Sequence, residues 1–361
     1  MINKNRLVKT FLELVKIDSP SGSEGPISKF VAKKLRGLGF KVVFDNYGNV
    51  VAKIPGQGEP FILNAHLDTV EPGRGIKPIV KGDIIKTDET TILGGDDKAG
   101  VTAILEALTS IVEAGAEHLP IEVILTLGEE VGSLGAKNLD YSLISAKRGV
   151  AFDGEAEVFN VATGEPGMLK VDLTIIGRSA HAGGEPEKGI SAIKIISEII
   201  SELNLGRIDA ETTANVGIIE GGSVRNAVPE RAEFKGEIRS RNNDKLKNHL
   251  AHFQEVFDRI LAKYPEAKIE VELEEAGEAY TLALDHKTIR HIHTTLTALT
   301  IEPKLFPLGG LTDVNVFHKK GIEAVVVGAG GYNMHTKREY VVISQMEQAA
   351  RVCEKLVRIG P

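Results

Sequence analysis

The sequence predicts an α/β fold in which a mixed-sheet domain is interrupted by an inserted α+β domain. Three observations predict it. Apolar, strand-like runs alternate with helical periodicity over the first part of the chain. After the turn-rich stretch at 162–167 the pattern changes to long alternating strands with two helices. It then returns to helices and a short apolar strand.

The elements follow in order. Leu7, Phe11, Leu14 and Val15 recur with helical spacing and place a helix over residues 7–16. Ile27, Phe30, Val31 and Leu35 share one face of a helix over 26–38, and Pro26 suits its first turn, where a missing N–H leaves nothing unpaired. Strands are expected at 41–44, 50–54 and 61–65. A helix over 99–112 turns Val101, Ile104, Leu105 and Leu108 inward, and strands follow at 121–127 and 150–152. This alternation implies a largely parallel or mixed sheet with helices on both faces.

Beyond the expected linker at 162–167, strands fall at 168–176, 214–219, 232–240 and 268–273, with helices at 190–203 and 246–264. Helices near 285–297 and 313–319, a strand at 324–327 and a last helix complete the chain. Ser344-Gln345-Met346-Glu347 reads as a capping box for that helix. The predicted division is therefore one domain from 1–166 and 277–361, with 167–276 inserted, each within the ordinary domain range.

Composition narrows the function classes. Of 361 residues, 42% are hydrophobic and 26% charged, as in a soluble globular protein. No apolar run approaches the roughly 20 residues that span a bilayer, so no membrane partner is expected. The net charge of −7, without a long basic run, argues against nucleic acid. The single cysteine, Cys353, excludes an intrachain disulfide and suits a reducing, cytoplasmic setting. Its helical context suggests packing.

Glu129 and Glu130 close the apolar run at 121–127. Adjacent carboxylates just past a buried strand repel, and neither stays ionised easily away from water. A divalent metal removes that cost: one Glu can bind the ion while its neighbour carries a proton. Other candidate ligands also follow strand-like runs. His66 and Asp68 follow 61–65, Asp96-Asp97 follow Thr91-Ile92-Leu93-Gly94-Gly95, Asp153 follows Phe152, and His335 lies just past 324–327. In open α/β sheets sites form outside the carboxyl ends of the strands, so these segments can share one rim. One imidazole and one carboxylate per ion, plus a shared Asp, would hold two zinc-like ions. A Glu outside the ligand set could then take a proton from water and pass it to a leaving amine.

Each residue alone has a plainer reading. Glu-Glu is common on solvated surfaces, and His66 could be a core histidine. Asp96-Asp97 could cap a helix, which explains one carboxylate but not both. Asp153-Gly154 is a common turn pair, and His335 could lie on the surface. Their occurrence together after separate strands is what points to a metal site.

The segments His66-Leu67-Asp68-Thr69, Leu93-Gly94-Gly95-Asp96-Asp97-Lys98-Ala99-Gly100, Gly128-Glu129-Glu130-Val131-Gly132, Phe152-Asp153-Gly154, Ser179-Ala180-His181 and Gly330-Gly331-Tyr332-Asn333-Met334-His335 resemble the M20 family of metallopeptidases, most closely its tripeptidase branch. The resemblance implies a zinc-peptidase-like catalytic domain with an inserted lid or dimerisation domain. It implies two divalent ions, Zn2+ first and Mn2+ or Co2+ as alternatives. His66 and Asp153 would hold one ion, Glu130 and His335 the other, and Asp96 would bridge them across a cis Asp96–Asp97 bond. Asp68 would orient His66, Glu129 would be the general base, and His181 would stabilise the oxyanion, in its own subunit or across a homodimer.

Asn226 and Arg239 are candidate partners of a substrate carboxylate, with a strand-end salt bridge as the plainer reading of Arg239. One stretch departs from the branch's pattern. Where an Arg-Gly-Gly-Thr-Asp type of segment is expected, this chain reads Gly309-Gly310-Leu311-Thr312-Asp313. Gly310 and Thr312 remain as possible backbone and hydroxyl contacts. The implied activity is hydrolysis of short peptides, as a tripeptide aminopeptidase. An N-acyl amino acid deacylase, a dipeptidase and a catalytically silent metal-binding protein are the alternatives.

Overall fold

The computed structural model describes residues 1–359. The chain forms two compact units. The first comprises Met1–Gly164, Leu282–Leu308 and the stretch beginning at Thr312; the second comprises Glu165–Thr281 and Gly309–Leu311. The Gly309–Leu311 tripeptide, expected in the first unit, thus belongs to the second.

The first unit is built on a mixed sheet. Its strands run in the order Lys41–Phe44, Val50–Ile54, Ile121–Thr126, Phe61–His66, Arg148–Gly154, Glu323–Gly328 and Asn160–Glu165, with Lys304–Pro307 beside the last. The four central strands, Ile121–Thr126 through Glu323–Gly328, are mutually parallel. They are almost wholly buried and so read as continuous apolar runs. The helix Gly95–Ala114 packs against Phe61–His66, Arg148–Gly154, and the helices Lys4–Val15 and Ile343–Val357. Asn3 caps Lys4–Val15 by accepting the Arg6 N–H at 3.1 Å, a contact worth about 1 kcal/mol.

Three local expectations are corrected. Residues 162–167 are not a linker: Asn160–Glu165 and Gly167–Ile176 are both strands. Ser344 does not cap the last helix. The helix begins at Ile343, and the Ser344 hydroxyl donates to Asp83 instead. Thr91–Gly95 is not a strand end, because no strand forms between Ile84–Lys86 and the helix Gly95–Ala114. Not anticipated was a small sheet of Gly331–Tyr332, Tyr340–Val342, Ile84–Lys86 and Ile79–Lys81. Its strands are too short to display a period.

The second unit is an antiparallel sheet in the order Gly206–Arg207, Thr212–Gly221, Arg231–Ser240, Gly167–Ile176 and Lys268–Gly277. Alternate residues Val171, Leu173 and Ile175, with Phe234 and Ile238, pack against Ile195, Ile196 and Ile199 of helix Ala192–Glu202 and Phe253 and Phe257 of helix Asn243–Leu261. Asn242 caps the longer helix by accepting two N–H groups. Among the described residues no helix is long and apolar enough to cross a membrane. Cys353 is fully buried.

Candidate metal centre

The parallel strands deliver the ligands. His66 ends Phe61–His66, and Asp153 lies near the end of Arg148–Gly154 beside it. Glu129 and Glu130 follow Ile121–Thr126 across Gly128, whose φ of +62° favours glycine. The Glu129 carbonyl accepts the N–H groups of Gly132 and Ser133, which closes the turn. Asp96 arrives by another route. The Asp96–Asp97 peptide is cis, both residues are non-helical, and the regular helix begins only after them. Asp97 accepts the Gly100 N–H at 3.1 Å on one oxygen and the His66 N–H at 3.2 Å on the other. Its carboxylate thus serves the helix start while Asp96 faces outward from it. His335 sits in a left-handed conformation, φ +62°, at the tip of the loop between Gly331–Tyr332 and Tyr340–Val342.

Asp96 links two histidines. Its Oδ1 lies 3.1 Å from His66 Nε2 and its Oδ2 lies 3.0 Å from His335 Nε2. Glu130 Oε2 is 3.0 Å from His335 Nε2, and Asp153 Oδ1 is 3.4 Å from His66 Nε2. His66, Asp96 and Glu130 offer ligand atoms within 4.8 Å of one another, and so do His66, Asp97 and Asp153. The far side of His66 faces Asp68: Nδ1 is 3.1 Å from its carbonyl oxygen and 3.4 Å from its carboxylate. With a metal bound, a proton kept on Nδ1 by these oxygens would leave the Nε2 lone pair for the ion. Asp68 also accepts the Ser21 hydroxyl at 2.7 Å and the backbone N–H groups of Glu129 at 2.9 Å and Glu130 at 3.2 Å.

The electrostatics fit a cation site. Burial and the neighbouring carboxylates push Asp153 up to about 7 and Asp313 up to about 6. Glu129 and Asp97 are raised well above the carboxylate range by burial and by the charge of Asp153. Bonds to Asp96 and Glu130 lift His335 to about 10. Burial opposes charge on His66, yet Asp153, Asp68 and Asp96 raise it well above its ordinary value. Burial likewise opposes charge on Asp96, but the two histidines hold it below the usual carboxylate range. Crowded carboxylates with two imidazoles form a donor set suited to zinc, manganese or cobalt. The residues present therefore fit a metal.

Of the other sequence candidates, His181, Asn226, Arg239 and Gly310 lie in the second unit. The structure brings His181 and Asn226 together: the Ala182 N–H donates to the Asn226 carbonyl, and His181 pairs with Ala227. His181 Nδ1 accepts the Gly183 N–H at 3.2 Å, which leaves the ring proton on Nε2. Arg239 is already engaged. Its fork meets Glu237 at 2.8 and 3.1 Å, and Nη1 reaches the Gly309 carbonyl at 3.4 Å. Thr312, in the first unit, accepts the Val314 N–H and caps the helix Asp313–Lys319. Space is open around Gly310.

Sequence reasoning missed Ser21, Asp313 and Glu339. Asp313, 1% exposed, accepts the Thr126 hydroxyl behind the centre. Glu339 accepts the N–H groups of Leu93, Gly94 and Asp96. Asp313 stood inside the Gly309–Asp313 segment and Glu339 four residues past His335, but their targets are backbone amides and a hydroxyl far away in sequence, which no local pattern records.

Buried acids and two histidines, gathered at the carboxyl ends of a mixed sheet, define the class as a metal-dependent hydrolase of the α/β kind. Comparison with known proteins is consistent with this. The peptidase dimerisation domain model M20_dimer matches residues 163–265, and the model of peptidase family M28 matches 49–153. The chain is 39% identical to the uncharacterized protein YqjE of Bacillus subtilis (strain 168), over 99% of each. It is 35% identical to the crystal structure of aminopeptidase PepT from Bacillus cereus, with a TM-score of 0.91 over 99% of this chain and 98% of that one. It is 34% identical to a tripeptidase from Staphylococcus aureus, with a TM-score of 0.94 over the same shares. The chain belongs to the M20 family of peptidases and stands close to peptidase T.

Proposed function

We propose that this M20 peptidase is a two-metal aminopeptidase of the peptidase T type that hydrolyses short peptides, above all tripeptides. The observation that carries the reading is the bridging posture of Asp96, whose two oxygens face two different histidines. His66 and Asp153 would hold one ion, Glu130 and His335 the other, with Asp96 shared. Zn2+ suits these donors best, with Mn2+ or Co2+ also accepted. Bound there, the ions supply Lewis-acid polarisation of the scissile carbonyl and acidify water.

The chain's own residues do the rest. Glu129 lies outside both ligand groups, and its raised proton affinity suits a base that takes a proton and returns it to the leaving amine. Asp68 fixes the Glu129 backbone and the His66 ring together. His181, with its proton on Nε2, would be the donor to the oxyanion, in its own subunit or across the homodimer. Asn226, with Arg239, is a candidate partner of the substrate carboxylate, and Gly310 offers a backbone contact. A substrate carboxylate reaching Arg239 competes with Glu237. Thr312 offers only what its capping role leaves.

An N-acyl amino acid or a dipeptide also ends in a carboxylate and meets the same competition, so an N-acyl amino acid deacylase or dipeptidase is the alternative within the same family. The metal-loaded chain should be offered tripeptides, dipeptides and N-acetyl amino acids with Zn2+, Mn2+ and Co2+ in turn. Preferred turnover of tripeptides is expected. No tripeptide turnover with any of the three metals would sink the peptidase T reading. The match of 163–265 to a dimerisation domain supports a homodimer, and a lone buried cysteine supports a cytoplasmic setting.

A further inference from the structure

Glu339 is 1% exposed and stands four residues beyond His335. Its Oε2 accepts the N–H groups of Leu93 at 2.7 Å and Gly94 at 2.8 Å, and its Oε1 accepts the Asp96 N–H at 3.0 Å. Among the described residues no cation pairs with it directly. Lys98 is close enough to feel its charge, but Lys98 Nζ donates to the Ile17 carbonyl. A buried carboxylate bound only by amides is costly to desolvate, and burial does raise its proton affinity against those bonds. The fold retains it where two loops meet.

One loop is the turn Gly94-Gly95-Asp96. Gly94 has φ +70°, and a Cβ on Gly95 would stand 2.6 Å from Val341 Cγ2 and 3.0 Å from Glu339 Oε1. The turn is therefore pressed against 339–341 with no room for a side chain. The other loop carries His335. Its ends are drawn together by Tyr332 and Tyr340, whose rings stack at 5.1 Å and 4°. Inside it, Glu339 N–H donates to the Thr336 carbonyl. Glu339 thus terminates the His335 loop and, with the same side chain, grips the turn that presents Asp96.

We propose that Glu339 is a positioning residue that couples the His335 loop to the Asp96 turn and so sets the spacing of the donors Asp96, Glu130 and His335. This rests on the two-ion reading above. It predicts unequal dependence of the two ions. Both ions share Asp96, but the ion at His66 and Asp153 draws its other ligands from strand ends, whereas the ion at Glu130 and His335 draws also on a loop that Glu339 holds.

The test is calorimetric titration of Zn2+ into the metal-free full chain, comparing wild type with Glu339→Gln and Glu339→Asp. Wild type should take two ions. Glu339→Gln keeps the shape but faces an NH2 group toward an N–H donor. It should weaken one ion by about 10–100-fold, as loss of an outer-shell partner does, and leave the other within about threefold. Glu339→Asp, which keeps the charge, should recover part of that loss and also reports if the Gln variant does not fold. Hydrogen exchange at the Leu93 and Gly94 amides should quicken in the metal-free Gln variant. Two ions bound with wild-type affinities in Glu339→Gln would overturn the role of Glu339 alone, as would equal weakening of both ions. A wild type that takes up only one ion would instead overturn the two-ion reading, and this coupling with it.

Discussion

Asp68 Oδ1 accepts the backbone N–H of Glu129 at 2.9 Å. The same carboxylate faces His66 Nδ1 and binds the Glu130 N–H. One side chain thus orients a ligand on one strand end and the turn holding the base on the next. Asp68→Ala leaves two N–H groups without this partner, each a loss of about 1–3 kcal/mol where water cannot replace it. The variant should melt lower and bind metal about 10–100-fold more weakly. Thermal melts and metal titration check both. Unchanged metal affinity would mean that His66 needs no support from Asp68.

Glu129→Gln separates base from ligand. The substitution keeps the volume and removes one charge from a crowded acidic cluster. Turnover should fall by about 10²–10⁴-fold or more, with metal content measured by elemental analysis unchanged. The metal-free variant should also melt higher than wild type, because Glu129 is raised by burial and by the charges of Asp153 and Asp313. A near-normal rate in Glu129→Gln would remove Glu129 from the chemistry.

The centre was legible in sequence wherever it hangs on parallel strands. Phe61–His66 and Ile121–Thr126 are buried along their length, so their apolar runs announce both the strand and the ligand position after it. The Thr91–Gly95 segment is equally apolar but finds no neighbouring strand. Its amides go to Glu339, a partner 243 to 246 residues away. Ser344 shows the same limit. A capping box is a local pattern, and a tertiary acceptor, Asp83, outcompetes it. The Gly-Pro punctuation of 162–167 reads as a linker because turn residues carry no information on strand pairing, yet Asn160–Glu165 pairs with Lys304–Pro307.

Arg239 offers a test of specificity. Its bond to Glu237 joins side chains 31% and 32% exposed, so the pair contributes at most about 1 kcal/mol to stability. Glu237→Gln should leave the melting temperature almost unmoved while freeing the guanidinium fork. If Arg239 receives the substrate's carboxylate, KM for a tripeptide should fall in Glu237→Gln, and KM for the same tripeptide amidated at its C-terminus should not. Steady-state kinetics on the two substrates decide. An unchanged ratio would place carboxylate recognition elsewhere.

Metal removal should expose a pH dependence of stability that metal loading masks. Asp153 at about 7 and Asp313 at about 6, with Glu129 and Asp97 also raised, lie above the ordinary carboxylate values near 4. A group raised in the folded state contributes stability that is complete below its unfolded pKa and lost as pH climbs through the folded one. His335 at about 10, and His66, are raised above roughly 6.5 and act in the same direction. Asp68 and Asp96 are lowered, so their contribution disappears only in acid, below about pH 4. Between about pH 5 and 8 the carboxylates and histidines of the centre therefore drive the metal-free protein one way, toward lower stability as pH rises; Lys98, lowered to about 8 by burial, acts oppositely only above that. Metal binding runs oppositely, because its ligands must be deprotonated. The gap in melting temperature between metal-loaded and chelator-treated protein should widen steadily across that range. Histidines elsewhere, such as the buried His249 and the half-buried His291, affect both forms alike and drop out of the difference. Asp153→Asn, which removes the carboxylate lifted to about 7, should flatten the metal-free curve around neutral pH. A gap that stays constant with pH would mean that burial and the neighbouring charges do not raise these carboxylates in the absence of metal.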